Sequence, residues 1–234
     1  MRFVEQEKKK AITFSYDDGV TQDIRLIELL NKYGLKSTFN INSELLSTRG
    51  ILPHNSQRIA HYKVHPEDIK TIYDGHEIAA HTLTHQNLTK CTDDEVIRQV
   101  ETDRLNLSEL AGYEVVGMAY PCGGVNNDDR VAGLIKHNTG IQYARTITCD
   151  HRFDLQENLL RFNPTVFHLD FEKMMELGQA FVELQTETPQ IFYIWGHSYE
   201  MDFAPDYWIK LEDFFNLISF RADIFYGTNK EILL

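Results

Sequence analysis

AITFSYDDGVTQDIRLIELLNKYGLKSTFNIN, residues 11–42, decides how the rest of the chain is read. Residues 11–16 form a short apolar run, the mark of a buried strand. Residues 21–34 place Ile24, Ile27, Leu30 and Tyr33 three apart and stop at Gly34, which predicts an amphipathic helix. Residues 37–42 return to a strand pattern. Strand, helix, strand is the crossover unit of a parallel sheet covered by helices. Between the first strand and the helix stand two adjacent aspartates, Asp17 and Asp18, followed by Gly19. Like charges repel, and a carboxylate is costly to bury unpaired, so the pair calls for a compensating partner.

The alternation continues along the chain. HPEDIKTIYDG (65–75) reads as a short helix and HEIAAH (76–81) as a third strand. Residues 92–113 are the clearest helix, with Thr92 and Glu95 spaced for a capping box. Strand patterns recur at 115–120, 141–146, 165–169, 191–196 and 220–227, and helical ones at 128–138, 171–185 and 206–220. The aromatics of 203–220 fall at helical spacing and read as core. Residues 47–65 are irregular and polar, an excursion over the surface. Seven or eight strands separated by helices predict an α/β fold, a parallel barrel, in one domain covering residues 1–234.

Composition narrows the function classes. The 234 residues carry 35 acidic and 23 basic side chains, a net charge of −12, which argues against nucleic acid as the main partner. No run of apolar residues is long enough for a membrane span. The amino terminus has no signal-peptide pattern, so the expected compartment is cytoplasmic. Cys91, Cys122 and Cys149 form no C-x-x-C pair, which indicates neither a disulfide framework nor a zinc knuckle.

In barrels of this kind, active sites gather at the carboxyl ends of the strands. Asp17 and Asp18, His81, Tyr120-Pro121-Cys122 and His197 all follow apolar runs. In AAHTLTHQNL (79–88), His81 and His85 are four apart, one helical turn if the segment coils directly after its strand. Two imidazoles and a carboxylate suit zinc, with iron, cobalt or nickel as alternatives, better than magnesium or calcium. Three protein ligands leave positions open for water and substrate. One aspartate can then bind the ion and the other take a proton from the attacking water. A plain Asp-Asp-Gly turn is the competing reading of the same residues.

TFSYDDG, HTLTH, AYPCGG and FYIWGHS fall in the order and rough spacing of the polysaccharide deacetylase family, the chitin-deacetylase-like carbohydrate esterases, and the chain resembles that family over about residues 11–200. The resemblance implies a distorted β/α barrel, usually of seven strands, and a metal-dependent hydrolase that removes N- or O-linked acetyl groups from carbohydrate. It implies Asp17 as general base, Asp18, His81 and His85 as metal ligands, and His197 as general acid. Thr82 would brace the loop between the histidines. Two departures stand out. Where the family commonly has arginine, any residue, proline and an aromatic, this chain has Ala119, Tyr120, Pro121 and Cys122. The backbone N–H of Cys122 can still serve half of an oxyanion hole, since that role needs no side chain. Its thiol as nucleophile is a weaker rival, with no histidine near it in sequence. Arg145 ends a strand and, as a functional residue, either replaces the missing arginine or binds substrate, with a surface salt bridge as the competing reading. The acidic partner of His197 is also unmarked, with Asp150, Asp154 and Glu200 as candidates. Tyr120, Trp195 and Tyr199 are expected to stack on a sugar ring or to form the barrel rim. Hydrolysis of a small amide or cyclic imide is the alternative chemistry, and a non-catalytic carbohydrate-binding relative is the third reading.

Overall fold

In the computed structural model, which describes the backbone of residues 1–234 and every side chain but that of Arg2, β1 (Lys10–Asp17) runs through the middle of the sheet. All eight of its residues are buried. The period of two turns Ile12, Phe14 and Tyr16 towards the helices, and Ala11, Thr13, Ser15 and Asp17 towards the barrel interior. On one side β1 pairs in parallel with β9 (Gln190–Gly196). On the other it pairs with β10 (Ile224–Tyr226) along its first residues and with β2 (Ser37–Ile41) along its last.

Beyond β2 lie β5 (Glu77–Ala80), β6 (Gly117–Ala119) and β7 (Tyr143–Arg145), and beyond β9 lies β8 (Val166–Phe167). Phe162 bridges to Arg145 while Val166 and Phe167 pair with β9, so the segment 162–167 spans the gap between the outermost strands. The sheet therefore curls into a distorted barrel, as the alternating pattern and the family resemblance predict. Because the pairings are parallel, the carboxyl ends of β1, β2, β5, β6, β7, β8 and β9 face one mouth.

The helices α2 (Asp23–Lys32), α4 (Asp93–Ala111), α5 (Asp129–Asn138), α6 (Phe171–Glu183) and α7 (Tyr207–Ile218) cover the outside. Leu26 and Leu30 of α2, Val96 and Val100 of α4 and Phe214 and Phe215 of α7 form one core with Ile12 and Phe14. Trp208, Phe214 and Phe215 are buried, as the helical spacing of 203–220 predicts. At the opposite end from the mouth, Phe3 of α1 (Arg2–Glu5) and Ile232 and Leu233 of α8 (Asn229–Leu233) pack on Ala11, Tyr143 and Tyr193. No helix among the described residues is long and apolar enough to cross a membrane.

Three local expectations are corrected. Residues 47–65 are no irregular excursion: β3 (Arg49–His54) and β4 (Gln57–Tyr62) form an antiparallel hairpin, paired from Arg49–Tyr62 to His54–Gln57. Most of its residues are exposed or half-buried, so no alternation of apolar and polar side chains marks it. The 65–75 helix is a 3₁₀ turn at Pro66–Asp68 running into the four-residue α3 (Ile69–Ile72). Only half of the capping box at α4 forms: Thr92 accepts the Glu95 N–H, but the Glu95 carboxylate turns to Arg98 and Gln99.

Candidate active site

Asp17 is the last inward-facing residue of β1, and its carboxylate is 2% exposed. Arg145 donates to both of its oxygens at 2.5 Å, and Asn40 Nδ2 donates to Oδ1 at 2.8 Å. Burial pushes the carboxyl up, but Arg145, then His81 and His197, outweigh it and hold the pKa below the ordinary range. Arg145 is itself fully buried, donating to Ser15 Oγ at 3.1 Å and to the Thr146 carbonyl at 3.0 Å, with its guanidinium 4.5 Å from the Trp195 ring centroid.

The β6–β7 register places Ala119 directly opposite Arg145. A guanidinium missing from 119–122 is thus supplied one strand over, at the same level of the barrel. Of the two roles expected of Arg145, contact with substrate is the one the structure contradicts, because the side chain has no exposed surface.

Asp18 leaves the strand with φ of 86°, and its carboxylate has partners of its own. Its Oδ2 lies 3.2 Å from His61 Nε2, and its Oδ1 lies 3.1 Å from Lys63 Nζ and 3.8 Å from His85 Nε2. Burial opposes the charge, yet His61 and Lys63 hold the carboxyl well below its ordinary pKa. His81 follows β5 and donates from Nδ1 to the Ala119 carbonyl at 2.9 Å, which leaves the Nε2 lone pair free. Its backbone is clamped on both sides: its N–H reaches Asp103 Oδ2 at 2.9 Å, and Asn42 Nδ2 reaches the carbonyls of His81 and Thr82.

The segment after His81 does not coil into the expected helical turn. Thr82 and His85 both have positive φ, 63° and 61°, and the loop is closed by Gln86 N–H donating to Thr82 Oγ1. This loop brings the two rings to a centroid distance of 5.0 Å. One ligand atom each from Asp18, His81 and His85 lies within 4.8 Å of the others. Burial lowers the pKa of both histidines, that of His81 to about 4, which favours the neutral imidazole. One carboxylate and two imidazoles are a donor set that could hold a zinc-like ion.

His197 follows β9 across the same mouth. Its Nδ1 is 3.1 Å from Glu200 Oε2, which also accepts the His197 N–H at 3.0 Å and His168 Nε2 at 2.7 Å. Of the three acidic candidates, Glu200 holds this place, while Asp150 accepts from Arg152 and Gln156 in its own loop. Burial pulls the His197 pKa down, but Glu200 and the two aspartates raise it to about 9, and Glu200 falls to about 2.

The pair's stabilising effect has a pH window. The raised histidine contributes fully below its ordinary value of 6.5 and loses its contribution as pH climbs through about 9. The depressed glutamate contributes above its ordinary 4.5 and loses its contribution as pH falls through about 2. In metal-free protein, Glu200→Gln is therefore expected to cost on the order of 1.5–3 kcal/mol. Thermal melts should show the deficit greatest between pH 4.5 and 6.5 and shrinking towards 9. A deficit that grows with alkalinity would exclude the charged pair.

These groups open into a cavity of about 240 Å³ lined by Asp17, Asp18, His81, His85 and His197, with Tyr120, Cys122, Trp195 and Tyr199 as walls. The Tyr120 hydroxyl is spent on the Leu160 carbonyl at 2.7 Å and its ring is fully buried, which corrects its expected stacking on a sugar, whereas Trp195, with Nε1 pointing to Cys149 Sγ at 3.3 Å, keeps a little exposed surface beside the cavity. Cys122 Sγ lies 3.8 Å from His85 Nδ1, a neighbour its sequence position does not reveal. Burial raises the thiol pKa, which disfavours the thiolate a nucleophile needs.

Sequence reasoning missed Asn40, Asn42, His61, Lys63, Asp103 and His168. Asp103 had a signal: it falls on the buried face of α4 between Val100 and Leu107. Asn40 and Asn42 had one too, as amides flanking Ile41 at the carboxyl end of β2. His61 and Lys63 lay hidden in the hairpin.

The chain matches the polysaccharide deacetylase family over residues 5–143. It is 25% identical over 127 residues to a bifunctional xylanase/deacetylase of Pseudobutyrivibrio xylanivorans, covering 52% of this chain and 18% of that protein. It is 28% identical over 107 residues to a peptidoglycan-N-acetylglucosamine deacetylase of Bacillus cereus, covering 45% of this chain and 34% of that one. The chain thus spans only 18% and 34% of the length of these curated relatives. Its fold is shared by the Xyl-CE4 domain of a multidomain xylanase from the hindgut metagenome of Trinervitermes trinervoides. The TM-score is 0.56 at 15% identity, over 96% of this chain and 90% of that one.

Proposed function

The chain belongs to the polysaccharide deacetylase family, and on that premise we propose that it is a metal-dependent hydrolase that removes acetyl groups from a carbohydrate, releasing acetate. The observation that carries the reading is the division of the two adjacent aspartates. Asp17 is locked to Arg145 and Asn40, while Asp18 faces His81 and His85. Asp18, His81 and His85 are the residues that would hold the ion. A divalent ion there, zinc by preference or cobalt, nickel or iron, supplies Lewis acidity towards the acyl oxygen and makes water acidic enough to attack.

The rest falls to the side chains. Asp17, ionised and held by Arg145 with its Oδ2 3.9 Å from His81 Nε2, accepts the proton of the attacking water. The Cys122 N–H, on the cavity wall, donates to the oxygen that gathers charge when the acyl carbon becomes tetrahedral. His197, held in its charged form by Glu200, gives a proton to the departing amine or alcohol. Trp195 and Tyr199 flank His197 at ring distances of 5.9 and 5.1 Å and offer apolar faces to a sugar ring.

The cavity is smaller than the roughly 300–1,000 Å³ of ordinary ligand pockets. That keeps a second reading alive, hydrolysis of a small amide or cyclic imide by the same groups. A panel of acetylated chitooligosaccharides, acetylated xylan, peptidoglycan fragments, small amides and cyclic imides separates the two. Turnover of acetylated sugars supports deacetylation, and turnover confined to the amides or imides overturns it. Metal analysis complements the panel: wild type is expected to hold one ion per chain and His85→Ala to lose it. A carbohydrate-binding relative without catalysis would turn over none of these.

A further inference from the structure

Asp18 has more partners than a metal ligand in a three-residue site needs. The hairpin β3–β4 ends by delivering two side chains to it, one on each oxygen: His61 to Oδ2 and Lys63 to Oδ1. The lysine is not a surface residue leaning inward. Its side chain is 4% exposed, and its Nζ is tied at 2.6 Å to the backbone carbonyl of Asp18 as well as to the carboxylate. The main chain fixes its seat, since Lys63 N–H donates to the Thr48 carbonyl and Val64 N–H to that of Gly19. Val20 and Lys63 also face each other in an isolated bridge. A buried ammonium needs an anion beside it, and Asp18 is the acidic side chain paired with this one.

The same oxygen is claimed twice. Oδ1 of Asp18, 3.1 Å from the ammonium, is also the oxygen that lies 3.8 Å from His85 Nε2, and Asp18 forms one cluster of candidate ligands with His81 and His85. His61 lies at Oδ2, so both oxygens of the carboxylate already have a protein partner. We propose that Lys63 is a resident counter-cation of Asp18 that competes with the metal ion for its carboxylate and so weakens metal binding. The inference rests on the reading of Asp18, His81 and His85 as a metal site. Two like charges a few ångströms apart in a buried site repel strongly. The backbone anchor at the Asp18 carbonyl keeps the lysine from swinging clear. Metal affinity is thereby set by a residue that is not itself a ligand, and the ion stays exchangeable.

The test is zinc affinity, measured on the full chain by competition with a chromophoric chelator. Lys63→Met removes the charge and keeps most of the stem. Lys63→Gln removes the charge and keeps a donor to the Asp18 carbonyl. Lys63→Arg keeps the charge. Both neutral variants are expected to bind zinc about tenfold tighter or more than wild type, and Lys63→Arg to stay within about threefold of it. Circular dichroism reports whether each variant folds, and where Lys63→Met does not, Lys63→Gln carries the comparison. Zinc binding that is unchanged or weaker in the neutral variants would overturn the inference while leaving the metal site intact. A wild-type chain that binds no zinc would overturn the metal site itself, and this inference with it.

Discussion

Asp17→Asn is expected to lower turnover by about 10²–10⁴-fold, the usual contribution of a positioned general base, while the protein still binds one metal ion per chain. The asparagine is isosteric and can keep an oxygen towards Arg145, so the guanidinium retains an acceptor. What it cannot do is take a proton. Asp18, His81 and His85 are untouched, and His81 keeps its tautomer through the Ala119 carbonyl. Steady-state kinetics and metal stoichiometry on the same preparation separate lost chemistry from a lost site. Full activity would show that Asp17 is not the base, and loss of metal would show that it is a ligand.

Arg145→Met is expected to be the most damaging single change to stability. It leaves the Asp17 carboxylate buried with only Asn40 as donor. Breaking a buried pair by removing one partner costs about 3–5 kcal/mol, because an uncompensated charge remains. The pH dependence carries the sign. In wild type the Asp17 pKa is depressed, so the pair's contribution is present above the ordinary carboxylate value and lost as pH falls through the depressed one. In the variant, desolvation is the largest influence left and drives that pKa upward. Denaturant unfolding should therefore show the gap between wild type and variant widest at neutral pH and narrowing with acid. Turnover should fall as well, with its acid limb displaced to higher pH. A variant as stable as wild type at pH 7 would contradict the pairing.

The barrel was legible because its signals are local. Ile12, Phe14 and Tyr16 alternate with inward residues on β1, and the helical faces of α2 and α4 repeat at three and four. The candidate site was legible where its residues end a strand or follow it directly, as do Asp17, Asp18, His81 and His197. It was obscure where partners converge from distant strands. Nothing in Ala119 announces that Arg145 stands opposite it, since register belongs to the sheet and not to either segment. His81 and His85 suggested a helical turn by spacing alone, and two residues of positive φ make a loop instead. The hairpin that brings His61 and Lys63 to Asp18 has little buried surface, so no periodicity gave it away.

Metal-dependent deacetylation is tested most directly by acetate release from an acetylated chitooligosaccharide, followed with the protein as purified, after chelation, and after zinc is restored. Acetate should appear with the purified protein, stop on chelation and return with zinc, with one free amine formed per acetate. Acetate release that persists unchanged in the fully chelated protein, or none in the zinc-loaded protein, would contradict it.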